Sequence, residues 1–283
     1  MHPELPGPTL ADFIDGWELF QDPVLAAVLA GATLGWLGVF VVLRRMVFVA
    51  ATLSQAAGLG VALAFWSTIH LGWGPPPFVG AVLAALAAGA VASIRPERLF
   101  VSRDGLLAFT WLVAGAGVVL VGDHIAQEAH DIAGILFGSA VLVRPEDLAV
   151  LGGVSALALG VAAAAHRGLL FAAWDPEAAR IQGLPVRLLD LTLLVLVTLA
   201  ASAATRALGA LPVFAFSVLP GLSAVLLAPR VNLAFPLALG LGAAAGGLGY
   251  LAAFLLELPV GASQAAVAAL PVVPALALAR LRR

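Results

Sequence analysis

The chain has 283 residues, 62% of them hydrophobic and 11% charged, with a net charge of −2 and a mean hydropathy of +1.08. A soluble domain carries roughly 25% charged residues, so this composition describes a polytopic α-helical membrane protein, nearly all of it used in crossing. The absence of cysteine excludes disulfides, thiolate metal sites and cysteine nucleophiles. No G-x-x-x-x-G-K-[ST] loop cradles a phosphate, so ATP hydrolysis is not expected of this chain. No nucleic-acid partner is expected of it either.

Residues 1–22 hold Glu4, Asp12, Asp15, Glu18 and Asp22 and no basic residue. A secretory signal opens basic, so this stretch reads instead as an outer N-terminal segment. Residues 23–283 then read as a single transmembrane domain. Nine apolar segments follow, at about 23–43, 47–69, 78–94, 105–121, 148–165, 187–206, 209–228, 233–256 and 261–279. A further stretch, Ile132–Val143, is too short to span and reads as lying at the outer surface or re-entering. The expected fold is an all-α bundle of about nine spans.

The first span carries Gly31 and Gly35, a G-x-x-x-G face for close helix contact. The second, Arg44 to Trp66, opens on two arginines and then runs without a charge. Its interior holds a polar turn of Thr52, Ser54 and Gln55, with Ala51 and Gln55 four residues apart on one helical face. Lipid cannot satisfy such a turn. It faces either a solute pathway or a helix-packing contact.

The loop after the fourth span, residues 122–131, is the His-rich patch of the chain. His124, Glu128, His130 and Asp131 are imidazole and carboxylate donors suited to Zn²⁺ or Mn²⁺, and equally ordinary in a solvated loop. Residues 171–186, FAAWDPEAARIQGLPV, form the longest polar inner stretch. Asp175 reads as an N-cap, Pro176 as the first helical residue, Glu177 as first-turn acid and Gly183 as the stop. Ala178, Ala179 and Ile181 give this short helix a small apolar surface, as a docking element requires; a plain connecting loop is the alternative.

The seventh span contains Pro212 and Pro220-Gly221, with Ser217 and Ser223 beside the second proline. This predicts a broken helix, lining a substrate route or kinked for packing. The eighth span repeats the close-contact face with Gly242 and Gly246.

All fourteen basic residues are arginine. With the N-terminus outside, twelve fall on inner segments: Arg44, Arg45, Arg95, Arg98, Arg103, Arg167, Arg180, Arg187, Arg230, Arg280, Arg282 and Arg283. Arg144 and Arg206 are left towards the outside. The positive-inside rule therefore places the N-terminus out and, for nine spans, the C-terminus in.

Taken together, several stretches resemble one family. VVLRRMVFVAATLSQAAGLGVAL is similar to an R-R-M-x-F-x-G-D-x-L-x-H-A-x-x-x-G-V-A stretch, and ILFGSAVLVRPEDL to L-F-G-D-x-L-x-V-x-x-x-D-L. DPEAARIQGLPV resembles a cytoplasmic D-x-x-x-A-x-x-x-G-V coupling segment. GALPVFAFSVLPGLSAVLLAPR and ELPVGASQAAVAALP match two later stretches in order. The family is the membrane permease subunit of bacterial ABC importers for zinc, manganese and related metals.

The resemblance implies a multi-pass protein of the bacterial cytoplasmic (inner) membrane, paired as a homodimer in membrane lipid. It implies cytoplasmic ATPase subunits that carry the ATP and Mg²⁺, an outer solute-binding protein, and no cofactor in this chain. Asp175, Glu177, Ala178, Ala179 and Gly183 would couple to the ATPase. Thr52, Ser54, Gln55, Ser139, Ser217 and Pro220 would line the translocation path. His124, Glu128, His130 and Asp131 would be the metal-binding candidates.

The departures matter equally. The family's Asp and His of the second span fall on Ala51 and Gln55, and the Asp of its L-F-G-D motif on Ser139. Ala and an amide are far weaker ligands for a transition metal than carboxylate plus imidazole. Three functions remain open at this stage: a metal importer with an altered pore, the same scaffold importing a metal chelate or non-metal solute, and a non-transporting scaffold or intramembrane enzyme. The last lacks facing Asp pairs, H-E-x-x-H and an evident Ser–His pair.

Overall fold

The computed structural model describes residues 7–93, 102–125 and 143–281. Glu128, His130, Asp131, Ser139, Arg95, Arg98 and nearly all of the 132–143 stretch lie outside the described residues. Within them every regular element is a helix. In chain order these are α1 (Leu10–Asp15), α2 (Trp17–Leu43), α3 (Val47–Leu71), α4 (Pro77–Ala92), α5 (Arg103–Ile125), α6 (Pro145–Ala164) and α7 (His166–Trp174). They continue with α8 (Pro176–Ile181), α9 (Val186–Leu208), α10 (Ala210–Leu227), α11 (Val231–Leu255), α12 (Val260–Ala269) and α13 (Val272–Leu281).

Eight membrane crossings are long and apolar enough by themselves: α2, α3, α5, α6, α9, α10, α11, and α12 with α13 together. The further expected span, α4, has 16 residues. At 1.5 Å per residue it is about 24 Å long, short of a hydrocarbon core of about 30 Å. It is nonetheless buried along one face, where Gly60 of α3 and Gly80 of α4 meet backbone to backbone.

The glycine faces explain how the bundle closes. Association inside a membrane gains little from the hydrophobic effect, so close packing of small residues carries it. A Cβ on Gly31 would run into the carbonyl of Gly242, and one on Gly246 into that of Ala27. A Cβ on Gly35 would stand 2.5 Å from the Ala238 carbonyl oxygen. Numbers rise along α2 as they fall along α11, so the pair is antiparallel. At its open end Phe13 and Phe20 pack on Phe254, with ring centroids 5.2 and 5.0 Å apart.

Three expectations are corrected. The seventh span is not broken: α10 runs unbroken from Ala210 to Leu227 with Pro220 inside it. Pro212 sits in the first turn, where its missing N–H would have had no intrahelical partner. Around Pro220 the backbone of α2 closes in, with a Cβ on Gly221 only 2.5 Å from the Gly38 carbonyl carbon. The chain turns instead at Gly209, whose φ of 89° links α9 to α10 through one residue. The last span, expected to be continuous, is interrupted at Leu270–Pro271, where proline has no N–H to continue the helix ladder, although Leu270 itself keeps helical angles, φ −53° and ψ −44°. Finally, α2 begins at Trp17, before the apolar run itself, so Glu18 and Asp22 ride on its first turns.

Candidate functional site

At one end of the bundle, the Arg44 end, lie the α2–α3 turn, α7, α8 and the start of α9. The short helix α8 is built as its residues predict. Asp175 Oδ1 accepts from Glu177 N at 3.1 Å and from Ala178 N at 2.9 Å. Pro176 is its first residue. At the other end Leu184 N donates to the Ala179 carbonyl and Gly183 N to that of Arg180, both at 3.0 Å. Gly183 has φ +80°, the left-handed stop that a residue without Cβ adopts freely.

The two faces of α8 differ. Ala179 is fully buried against Ala172 and Val186, so it seats the helix on the rest of the chain and offers nothing to a partner. Ala178 is half-buried, while Glu177 and Arg180 are exposed. Ile181 is 87% exposed, the most exposed large apolar side chain of the described residues.

The α2–α3 turn faces this helix. Met46 N donates to Val41 O at 2.8 Å and Arg45 N to Val42 O at 3.0 Å, and Arg45 holds φ 57°. Glycine or asparagine ordinarily fills that left-handed position; here it is an arginine. Arg44 pairs with Asp190 of α9. Burial pushes the Arg44 guanidinium pKa down from its usual value. Between these elements opens a cavity of about 650 Å³, lined by Arg44, Arg45, Arg103, Arg180 and Asp190 among others.

The polar turn of α3 is inside the bundle. Thr52 Oγ1 donates to Phe48 O at 2.8 Å and also lies 3.3 Å from Leu107 O of α5. Ser54 Oγ donates to Ala50 O at 3.0 Å, and Ser217 Oγ to Val213 O at 2.7 Å. Thr52, Ser54, Ser217 and Pro220 are buried, as is Ala51 at 6% exposure. Gln55 is half-buried and lies along α5, where a Cβ on Gly115 would be 2.9 Å from its Nε2. Of Thr52, Ser54, Gln55, Ser217 and Pro220, Gln55 alone is not fully buried. His124 is exposed at the end of α5, with Nδ1 2.9 Å from the Leu120 carbonyl oxygen. Among the described residues no three His, Asp or Glu side chains gather as a metal site.

Sequence reasoning missed the partners of the charged residues at the span ends. Arg206 lies 3.5 Å from Asp147 and 5.3 Å from the centre of the Phe65 ring, tying α9, α6 and α3 at the end opposite Arg44. It also passed over Gln264, fully buried, whose Nε2 donates to Gly246 O at 3.4 Å. The signal was present in each case: a lone charge or amide in an apolar span needs a protein partner.

A bundle with eight stretches, among the described residues, long and apolar enough to cross a membrane, and a capped, surface-borne helix between two of them, has the build of a transporter's membrane subunit. The model of the ABC 3 transport family matches residues 16–279, and the chain belongs to that family. Among its relatives, the manganese import system permease protein ScaB of Streptococcus parasanguinis is 29% identical, over 89% of both chains. The manganese transport system membrane protein MntC of Halalkalibacterium halodurans is 28% identical, over 91% of this chain and 86% of that one. The solved structure of PsaBC from Streptococcus pneumoniae in complex with Fab superposes with a TM-score of 0.83 at 28% identity, covering 94% of this chain and 95% of that one.

Proposed function

We propose that this chain is the permease subunit of an ABC importer for a divalent transition metal, of the manganese or zinc class, in the bacterial cytoplasmic membrane. The observation that carries this is the family match along residues 16–279, supported by full-length likeness to manganese import permeases. The metal is cargo. The chain performs no covalent chemistry; ATP and Mg²⁺ belong to a separate ATPase subunit, and an outer solute-binding protein delivers the cargo.

In this reading the Arg44 end faces the cytoplasm, as the arginine distribution supports. The α8 helix docks on the ATPase through Ile181, Glu177 and Ala178. Ala179 and Gly183 hold it to α7 and α9. Closure of the ATPase pair shifts α8 and alternates access to a path between two permease copies. Gln55 and Ser139 border that path, and Thr52, Ser54, Ser217 and Pro220, buried within one chain, support its wall. With Ala51 and Gln55 at the depth where relatives of this kind would place Asp and His, the pore holds no tight ion site there. Metal selection then falls to the outer binding protein, helped by His124, Glu128, His130 and Asp131.

The test is the manganese and zinc content of cells with and without the intact system under metal limitation. Unchanged content for both metals refutes the reading. The Ala51 and Gln55 pair favours a second reading, in which the same scaffold imports a metal chelate or non-metal solute; unchanged free-metal uptake with lost uptake of a chelate would select it.

A further inference from the structure

The geometry points to a binding site for an anionic phospholipid headgroup in the cavity at the Arg44 end, with its phosphate on the arginines and an acyl chain along α9. The lining holds four arginines and one aspartate. Arg44 is the decisive residue. Its side chain is only 10% exposed, its pairing with Asp190 uses Nη1, and its buried Nε and Nη2 donate to no acceptor among the described residues. A buried guanidinium with two idle donors is costly, and a phosphate oxygen is the acceptor its fork fits best.

Arg45 adds a second sign. A side chain at φ 57° pays backbone strain that glycine would avoid, and it spends that strain on presenting a charge to the cavity. Arg180, from α8, closes the ring of charge, and Arg103 is fixed by its Nε donating to Ala92 O at 3.2 Å.

The occupant is an amphiphile rather than a free anion because, Ser93 apart, the rest of the lining is apolar and continues onto exposed leucines of a span. Leu43, Met46 and Leu194 floor the cavity. Leu191 lines it and is 54% exposed on α9, and neighbouring Leu188 is 60% exposed. Trp174, at the end of α7, lines the cavity and is 64% exposed, an aromatic of the kind that suits a headgroup region. Basic recesses between span ends are suited to lipid phosphates. The inference is independent of the cargo. Through Arg180 and Trp174 the lipid would bridge the α2–α3 turn to the segment that carries α8.

The experiment uses the full-length permease, delipidated in neutral detergent and titrated with dioleoyl phosphatidylglycerol, dioleoyl phosphatidylcholine or inorganic phosphate. Bound lipid is read by native mass spectrometry. Phosphatidylglycerol is expected to bind at least about tenfold tighter than phosphatidylcholine. Arg45→Gly should weaken it about fivefold, and Arg45→Gly with Arg180→Gln about 25-fold. Arg45→Gly relieves the backbone strain, so its melting temperature should not fall; this separates lost binding from lost folding. Arg230→Gln, an exposed arginine outside the lining, should leave binding unchanged. Equal affinity for the two lipids, or equal losses with Arg230→Gln, overturns the proposal. Inorganic phosphate as potent as the lipid makes the site one for a free anion and overturns it too. Stoichiometric displacement of the lipid by added ATPase subunit overturns it in favour of a protein occupant.

Discussion

Ile181→Asp and Ala179→Leu separate the two faces of α8. Ile181 is 87% exposed in the free chain, and docking on a protein surface would bury it. Fully burying such a side chain is worth about 2 kcal/mol or slightly more, and a carboxylate in its place adds an unpaired charge to the contact. The expected loss of ATPase affinity is therefore at least about 30-fold. The permease fold should not change, because nothing in the free chain covers this position. Ala179 is the opposite case, at 0% exposure between Ala172 and Val186. A leucine there overpacks the seat by about 1–3 kcal/mol. A helix of six residues has no stability of its own, so α8 is dislodged and docking fails for a different reason. The assay is equilibrium binding of the purified ATPase subunit to immobilised permease, with thermal unfolding in detergent alongside. Ile181→Asp should lower affinity at unchanged melting temperature; Ala179→Leu should lower both. Wild-type affinity in Ile181→Asp would refute the docking face, and an Ala179→Leu protein unchanged in both readouts would refute the seating argument.

At the glycine seam, Gly242→Ala drives a methyl group into the Gly31 carbonyl and should destabilise the bundle by about 1–3 kcal/mol, read as a lower melting temperature, whereas Gly240→Ala, with open space around it, should be near neutral. For orientation, a cysteine at exposed Arg167 should react with an impermeant thiol reagent only in inverted vesicles, and one at exposed Glu257 only in intact cells. For the pore, Ala51→Asp with Gln55→His should create a Zn²⁺ or Mn²⁺ site measurable by equilibrium binding to the purified permease. A tight site already present in the wild type and removed by Gln55→Ala would contradict the reading of this pair.

Much of this architecture was legible in the residues. Apolar runs mark the spans because lipid tolerates little else for that length, and the glycines of α2 and α11 were visible as i, i+4 close-contact faces, though not that the two faces lie against each other. The α8 helix was readable from Asp175, Pro176 and Gly183, since caps act within a few residues of chain. What depended on distant parts of the chain was not readable. Alanine carries no preference for a side, so only the packing of Ala172 and Val186 shows that Ala179 points inward. Pro220 looked like a break, but a helix clamped by Gly38 of its neighbour continues through it. Asp190 and Asp147 could be seen to need partners, yet which arginine answers each is a property of the bundle. For the path, the residue types at Ala51 and Gln55 were the informative signal, and the structure adds that Gln55 lies on α5.

The contact of α2 with α10 and α11 has a mechanical consequence. Where backbones touch with no side chain between them, one helix cannot slide past another without lifting carbonyls out of the notches left by Gly31, Gly38 and Gly242. These three helices are therefore one stiff block. Sequence neighbours α2 and α3 belong to different blocks, since α3 closes on α4 through Gly60 and Gly80 and on α5 through Thr52. The left-handed turn at Arg45 is where the chain passes from one of these blocks to the other, so a substitution there is felt by both.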